Sequence, residues 1–311
     1  MFRPSTSPVE ALEGRTLLSA GAVLSRGVLR VAGDGASANT ITVANSVDQA
    51  SIDVTITSVR INVAPKTFTK SFPKAMGITS IAVKGGRFND VISVGQANPL
   101  AGVAEFDLAA RVTSGAGDDT ITLTDAADFV LPGAGNDTVD TNGGNDVVFA
   151  GLGNDNVSAG EGDDVVRGNV GNDTIGGGDG NDRLAGNAGN DSVGGGPGND
   201  LIRGDVGDDT LNGGGDDDTI FGFVGNDSLG GGNGNDVLWG GVGDDSLEGG
   251  NGNDSLGGII GRNTLLGGQD ADTFHVRALE LNASNDFNSA QGDVLDLVPK
   301  AKSEGPTPPA V

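Results

Sequence analysis

Apolar positions along this chain follow two successive patterns. Between Gly27 and Val112, apolar and β-branched residues come in short alternating runs, at Gly27 to Val31, Asn39 to Val43, Ser51 to Thr57, Arg60 to Val63, Ile78 to Val83 and Asp90 to Val94. Such runs predict strands. From Asp119 to Asp272 a strict period of nine takes over, and it returns eighteen times to the same position, Asp in all cases but Asn263. Two residues after each of these stands an apolar residue: Ile121, Val130, Val139, Val148, Val157, Val166, Ile175, Leu184, Val193, Ile202, Leu211, Ile220, Leu229, Leu238, Leu247, Leu256, Leu265 and Phe274. A short period held in register over so many copies is the signature of a solenoid, each repeat one unit of a stacked coil.

Gly nearly always stands two residues before the Asp, as in GGDGNDRLA from Gly177 to Ala185. Period, glycines, acid and apolar position together resemble the RTX (repeats-in-toxin, hemolysin-type) calcium-binding nonapeptide GGxGxDxUx, over about half of the chain. That resemblance implies an all-β fold, a parallel β-roll in which six residues form a calcium-binding turn and three a short strand.

The residues support the same architecture on physical grounds. A turn that needs Gly at positive φ, alternating with a strand carrying one inward apolar side chain, repeats only if every turn reverses the chain. Two turns then make a coil of eighteen residues, and coils stack at about 4.8 Å. Asp residues eighteen apart thus form two ladders: Asp119, Asp137, Asp155, Asp173, Asp191, Asp209, Asp227 and Asp245 in one, and Asp128, Asp146, Asp164, Asp182, Asp200, Asp218, Asp236, Asp254 and Asp272 in the other. Ca²⁺, with oxygen ligands at roughly 2.4 Å and tolerant geometry, suits the space between such carboxylates better than Mg²⁺, which demands about 2.05 Å and an octahedron. Carbonyls of the Gly-rich turns complete the expected shell. With no Cys and a single His, His275, a zinc site lacks its ligands. One apolar side chain per nine residues offsets little of the entropy lost in ordering so much glycine, so calcium is expected to drive folding. Site strength is expected to vary, because Asp128 lies in LTDAAD without a preceding Gly, Asp216 replaces a Gly, and Asn263 lacks a carboxylate.

Flanking segments divide the chain. Residues 1–26 hold LEGRTLLS, which resembles the LEPR-XLL leader of large bacterial surface proteins with Gly14 where Pro is usual, and they show no ordinary secretory signal. Residues 27–112 form a β-rich region that caps the first coil. It includes GGRFNDVIS (Gly85 to Ser93), a nonapeptide out of phase with the array because Asp90 and Asp119 are twenty-nine residues apart. Residues 113–275 are expected to form the roll, residues 276–298 a C-terminal cap in which DFNSAQGDVLDLV resembles the segment closing the roll in secreted RTX metalloproteases, and residues 299–311 a Pro-rich disordered tail.

An eighteen-residue alternation separates two faces. One class of turns carries Ala116, Ala134, Leu152, Val170, Ala188, Val206, Val224, Val242 and Ile260 and leads into strands exposing Thr, Ser or Asn. The other carries mostly polar or small residues and leads into strands exposing Phe129, Phe149, Arg167, Arg203, Phe221 and Trp239. That apolar and Arg-bearing face is large for a free surface, and either the protein's own N-terminal region or a partner is expected to cover it. Aromatic rings and guanidinium groups suit a polysaccharide or another surface protein.

Charge narrows the field further. The 43 acidic against 18 basic residues give a formal net charge of -25, which opposes nucleic-acid binding. No apolar run reaches the length of a membrane span. HExxH and GxSxG are both absent, so no enzyme is expected. The expected protein is a secreted or surface-displayed roll binding several Ca²⁺ ions in a structural role. The alternative is a calcium-dependent polysaccharide-binding module, suggested by resemblance to the RTX modules of alginate-modifying enzymes.

Overall fold

The computed structural model describes residues 21–33, 37–45, 51–60, 63–73, 78–95, 108–276 and 294–297. The expected leader, most of the C-terminal cap and the Pro-rich tail lie outside the described residues. Within them the chain winds as a solenoid whose strands alternate between a 14-stranded and a 13-stranded sheet. In both sheets the repeat strands pair in parallel at a spacing of eighteen residues, Val166 beside Leu184 in one and Ile175 beside Val193 in the other.

Strands of the array are mostly six residues long, as in Arg183–Ala188 and Ser192–Pro197. They are longer than the three-residue strands the resemblance implies, because pairing continues past the apolar residue into the next pair of glycines. Each half-coil consequently turns two positions of its strand inward, the apolar residue and the residue five before the next Asp; Leu184 and Gly186 are an example. All the apolar positions from Ile121 to Phe274 are buried, in a single core continuous with that of the N-terminal strands.

Seven N-terminal strands lead into the array: β1 Gly21–Ser25, β2 Val28–Ala32, β3 Ala38–Asn45, β4 Ser51–Arg60, β5 Val63–Pro73, β6 Ser80–Gly86 and β7 Val91–Gly95. Of the run at Arg60 to Val63, Arg60 ends β4 and Val63 begins β5, and the two residues between lie outside the described ones. β2 and β6 extend the larger sheet in parallel, while β3 and β7 extend the smaller, with β4 and β5 added antiparallel at its edge. These strands stack on the end of the roll. Of the two covers expected for the aromatic face, the described N-terminal strands do not supply one, because they extend the two sheets end-on and Ile41, Ile81 and Ile92 continue the core column. At the other end, Val294–Leu297 adds to the larger sheet beside Thr273–Val276.

The two edges differ as the sequence indicated. Along one edge Leu152, Val170, Val206, Val224, Val242 and Ile260 form an apolar ridge, each 43–57% exposed.

Candidate metal centre

Turns that are Gly-rich at nearly every rung place the Asp residues of the array inside the coil. Gly178 and Gly180, which flank Asp179 in one such turn, have φ of 114° and 137°, values that an L side chain resists. This lets the backbone turn tightly enough to bring Asp182 beneath the preceding coil. All seventeen array aspartates are buried, with Asp90 as an eighteenth.

The carboxylates are linked coil to coil. The N–H of Asp119 donates to Oδ1 of Asp137 at 2.7 Å, and the pattern repeats along that edge from Asp137 to Asp155, Asp155 to Asp173, and onward to Asp245, whose N–H donates to Oδ1 of Asn263 at 2.9 Å. The opposite edge runs in the same way from Asp128, through Asp164 and Asp182, to Asp254 and Asp272. One oxygen of each carboxylate is therefore spent on the neighbouring coil. The other, Oδ2, is buried without a hydrogen-bond partner at Asp137, Asp155 and Asp164 and at every array Asp from Asp173 to Asp254. A buried carboxylate oxygen with no donor is costly unless it is protonated or faces a cation.

Burial accordingly pushes the carboxyls up, against the hydrogen bond from the preceding coil: Asp155 and Asp164 to about 6, Asp137, Asp200, Asp218 and Asp254 to about 7, and Asp146 to about 8.

Space beside Oδ2 fits a cation bound by oxygen. A methyl placed on Gly177 would overlap Oδ2 of Asp182 and lie 2.8 Å from the carbonyl oxygen of Gly195 on the next coil. Carboxylate and carbonyl oxygens thus converge on a point that the missing side chain leaves clear. Nowhere among the described residues do three acidic, histidine or cysteine side chains meet as a metal-binding group. A donor set of carboxylate and backbone carbonyl oxygens suits Ca²⁺ rather than a transition metal. At Asn263 the side-chain nitrogen occupies the corresponding place near Gly258, so a donor stands where an acceptor is needed.

Two features escape the sequence reading. Asp90 joins the ladder despite its twenty-nine-residue offset, its N–H donating to Oδ1 of Asp119 at 2.6 Å while its own Oδ1 accepts from the backbone and side chain of Asn39. The second is an outer ladder on the residue just before each Asp, where the N–H of Asn154 donates to Oδ1 of Asn136 and that of Asn172 to Oδ1 of Asn154, both at 2.8 Å. Its polarity is opposite to that of the inner ladder. The signal was legible as the recurrent Asn-Asp and Asp-Asp pairs.

On the outer face of the larger sheet, Arg111 stacks over Phe129 at 4.1 Å, Arg167 over Phe149 at 5.4 Å and Arg203 over Phe223 at 4.8 Å, with Arg203 also paired to Asp205. Trp239 stacks on His275 with ring centroids 5.2 Å apart. Phe221 is a correction to the expected contact surface, since it is only 5% exposed. It stands in register between Arg203 and Trp239, and its ring packs against Phe223 with centroids 5.8 Å apart.

Comparison with known proteins agrees with this geometry. The RTX calcium-binding nonapeptide repeat matches in overlapping windows that together run across residues 111–256. No curated protein matches the chain as a relative. In-register pairing continues past the matched stretch, through Ser255–Ile260 and Thr264–Gln269 to Thr273–Val276.

Proposed function

We propose that this chain, whose residues 111–256 are RTX calcium-binding nonapeptide repeats, is a non-enzymatic extracellular roll that folds on binding Ca²⁺ through the Oδ2 atoms of its two aspartate ladders. The observation that carries the reading is the series of buried, unpartnered Oδ2 atoms from Asp173 to Asp254, each beside a clearance that a glycine leaves. When bound, Ca²⁺ supplies the positive charge that these oxygens lack. Asp N–H groups orient the carboxylates through Oδ1, and the Gly-rich turns present backbone carbonyls. Calcium at extracellular, millimolar levels matches sites of modest affinity, in the range of about 10⁻⁴ to 10⁻³ M. RTX repeat proteins are typically secreted, and no helix among the described residues is long and apolar enough to cross a membrane. Circular dichroism of the full chain tests this. The β signal should rise cooperatively as calcium is added to chelated protein, and a spectrum unchanged by calcium would refute the reading.

A second reading, a calcium-dependent polysaccharide-binding module, is favoured by the Arg-on-aromatic pairs of the larger sheet. Guanidinium groups held over Phe129, Phe149 and Phe223 present cations and flat apolar surface together. Retention on an acidic polysaccharide in calcium, lost in Arg167→Ala and Arg203→Ala, would support it. Equal retention by both variants and wild type would exclude that face.

A further inference from the structure

The inward residue five before each Asp divides the array into two blocks. Before Asp119, Asp128, Asp137, Asp146, Asp155 and Asp164 it is Ser114, Leu123, Pro132, Thr141, Ala150 and Ala159, each carrying a Cβ and each buried. Before Asp173 and every later rung it is Gly, without exception from Gly168 to Gly267. Strand register places Ala150 over Gly168 and Ala159 over Gly177, so the same point in the coil changes character between Asp164 and Asp173 on both edges at once.

In the later block that point is clear space. A methyl on Gly168 would overlap Oδ2 of Asp173 and approach the carbonyl oxygen of Gly186 to 2.8 Å, and Gly195, Gly213 and Gly231 repeat the arrangement with Asp200, Asp218 and Asp236. In the early block the point holds a side chain. At two coils that side chain also satisfies the carbonyl which otherwise faces the clearance: Ser114 Oγ donates to the Pro132 carbonyl at 2.9 Å, and Thr141 Oγ1 to the Ala159 carbonyl at 2.8 Å. The Oδ2 atoms of Asp137, Asp155 and Asp164 lack partners as well, while the hydroxyls of Ser114 and Thr141 also reach the carboxylates of Asp119 and Asp146. The blocks therefore differ in the room beside the carboxylate, not in the carboxylate.

We propose that calcium loads only the Gly-backed rungs from Asp173 onward, and that the rungs from Asp119 to Asp164 form, with the N-terminal strands, a metal-free seed whose side chains replace the ion. The inference rests on the calcium reading above and narrows it. Ser114, Thr141 and their neighbours fill the coordination space with covalently attached atoms, so these coils need no ion to close. Their last strands then offer a folded edge on which Val165–Val170 and Thr174–Asp179 pair as calcium arrives. Asp90 stands apart: Gly85 leaves its Oδ2 the same clearance, and Asn39 holds its Oδ1.

Hydrogen–deuterium exchange of the full chain, resolved by peptide, tests this in metal-depleted buffer and in millimolar calcium. Amides of 112–164 should be protected in both conditions, and those of 168–276 only in calcium. Protection of both blocks arising together at one calcium concentration would overturn the seed. A lack of calcium-dependent protection anywhere would instead overturn the calcium reading on which it rests. Two substitutions act in opposite directions. Gly186→Ala should lower the calcium bound per chain at saturation, as counted by equilibrium dialysis. Ala159→Gly, which opens the space beside Asp164 and removes no ligand, should raise it; an unchanged count in Ala159→Gly would overturn the assignment even if Gly186→Ala fails to fold.

Discussion

The backbone N–H of Asp164 donates to Oδ1 of Asp182 at 2.8 Å, while Oδ2 of Asp182 is buried and has no hydrogen-bond partner. One side chain thus performs two separable tasks, joining coils through one oxygen and offering the other to a cation. Asp182→Asn keeps an acceptor for the Asp164 N–H but puts an amide nitrogen in the clearance, as Asn263 does. Asp182→Ala removes both. In calcium titrations followed by circular dichroism, both variants should have a higher midpoint than wild type, and Ala should also unfold at lower temperature than Asn at saturating calcium. Equal thermal midpoints for the two would show that the Oδ1 link contributes nothing measurable.

Comparison across the seed boundary gives a second expectation. Asp128→Ala removes a carboxylate backed by Leu123, whereas Asp182→Ala removes one backed by Gly177. The calcium midpoint should move with Asp182→Ala and stay within about two-fold, or roughly 0.4 kcal/mol, with Asp128→Ala. Equal shifts would contradict a ladder whose affinity follows the residue behind each Asp.

Protonation provides a third test. Burial raises Asp137, Asp200 and Asp254 from 3.8 to about 7 and Asp146 to about 8 in the folded chain. A carboxyl whose folded value is raised stabilises the fold in its protonated form. That contribution is complete below pH 3.8 and disappears as pH rises through 6 to 8. Without calcium the roll should therefore have more β structure at pH 5 than at pH 8 in metal-depleted buffer. With calcium the dependence reverses, since protons compete for the same oxygens, and the calcium midpoint should rise as pH falls from 8 to 5. A metal-free roll that gains β structure toward pH 8 would show that burial does not govern these groups.

The core column and both aspartate ladders were legible because an apolar residue or an acid recurs every nine positions, and one-sided burial leaves no other register for them. What the period could not show is the second inward position. Gly168 and Gly186 carry no side chain, so their burial leaves no hydrophobic signal, and the contrast with Ala150 and Thr141 acquires meaning only once Oδ2 is seen beside them. Asp90 was hidden by the extra residues between Gly95 and Ala110, which lengthen one coil in sequence without disturbing the pairing of Ile92 with Ile121. The end-on stacking of the N-terminal strands was hidden for a related reason. Alternating strands such as Ile81 to Val83 look alike whether they pair at the end of a solenoid or lie across its face.

Backbone strain gives a fourth expectation. Ile259 has φ of 63°, in a column where Gly151, Asn169, Asn187 and Gly241 adopt the same left-handed conformation. A β-branched residue there is strained by about 1–2 kcal/mol. Ile259→Asn should raise the thermal midpoint in calcium by relieving on the order of 1 kcal/mol. A lower midpoint would mean that the Ile259 side chain packs well enough to outweigh the strain.

Trp239 reports on the outer face directly, since it is the only Trp in the chain. Its ring lies close over Gly257 and stacks on His275 with an interplanar angle of 21°. Ser255 lies 2.9 Å from Nε2 of His275, which helps to hold the imidazole against the indole. This local shelter comes from the roll's own last coils, so emission in calcium should be moderately blue-shifted in a monomer without any partner. His275→Ala removes one wall of the shelter, and should shift emission to the red and increase quenching by iodide while leaving the calcium midpoint unchanged, because His275 belongs to no turn. If His275→Ala leaves both emission and quenching as in wild type, something beyond the described residues covers Trp239. Repeating the measurement over a range of protein concentrations would then separate a second copy, whose shielding fades on dilution, from an intramolecular cover, whose shielding does not.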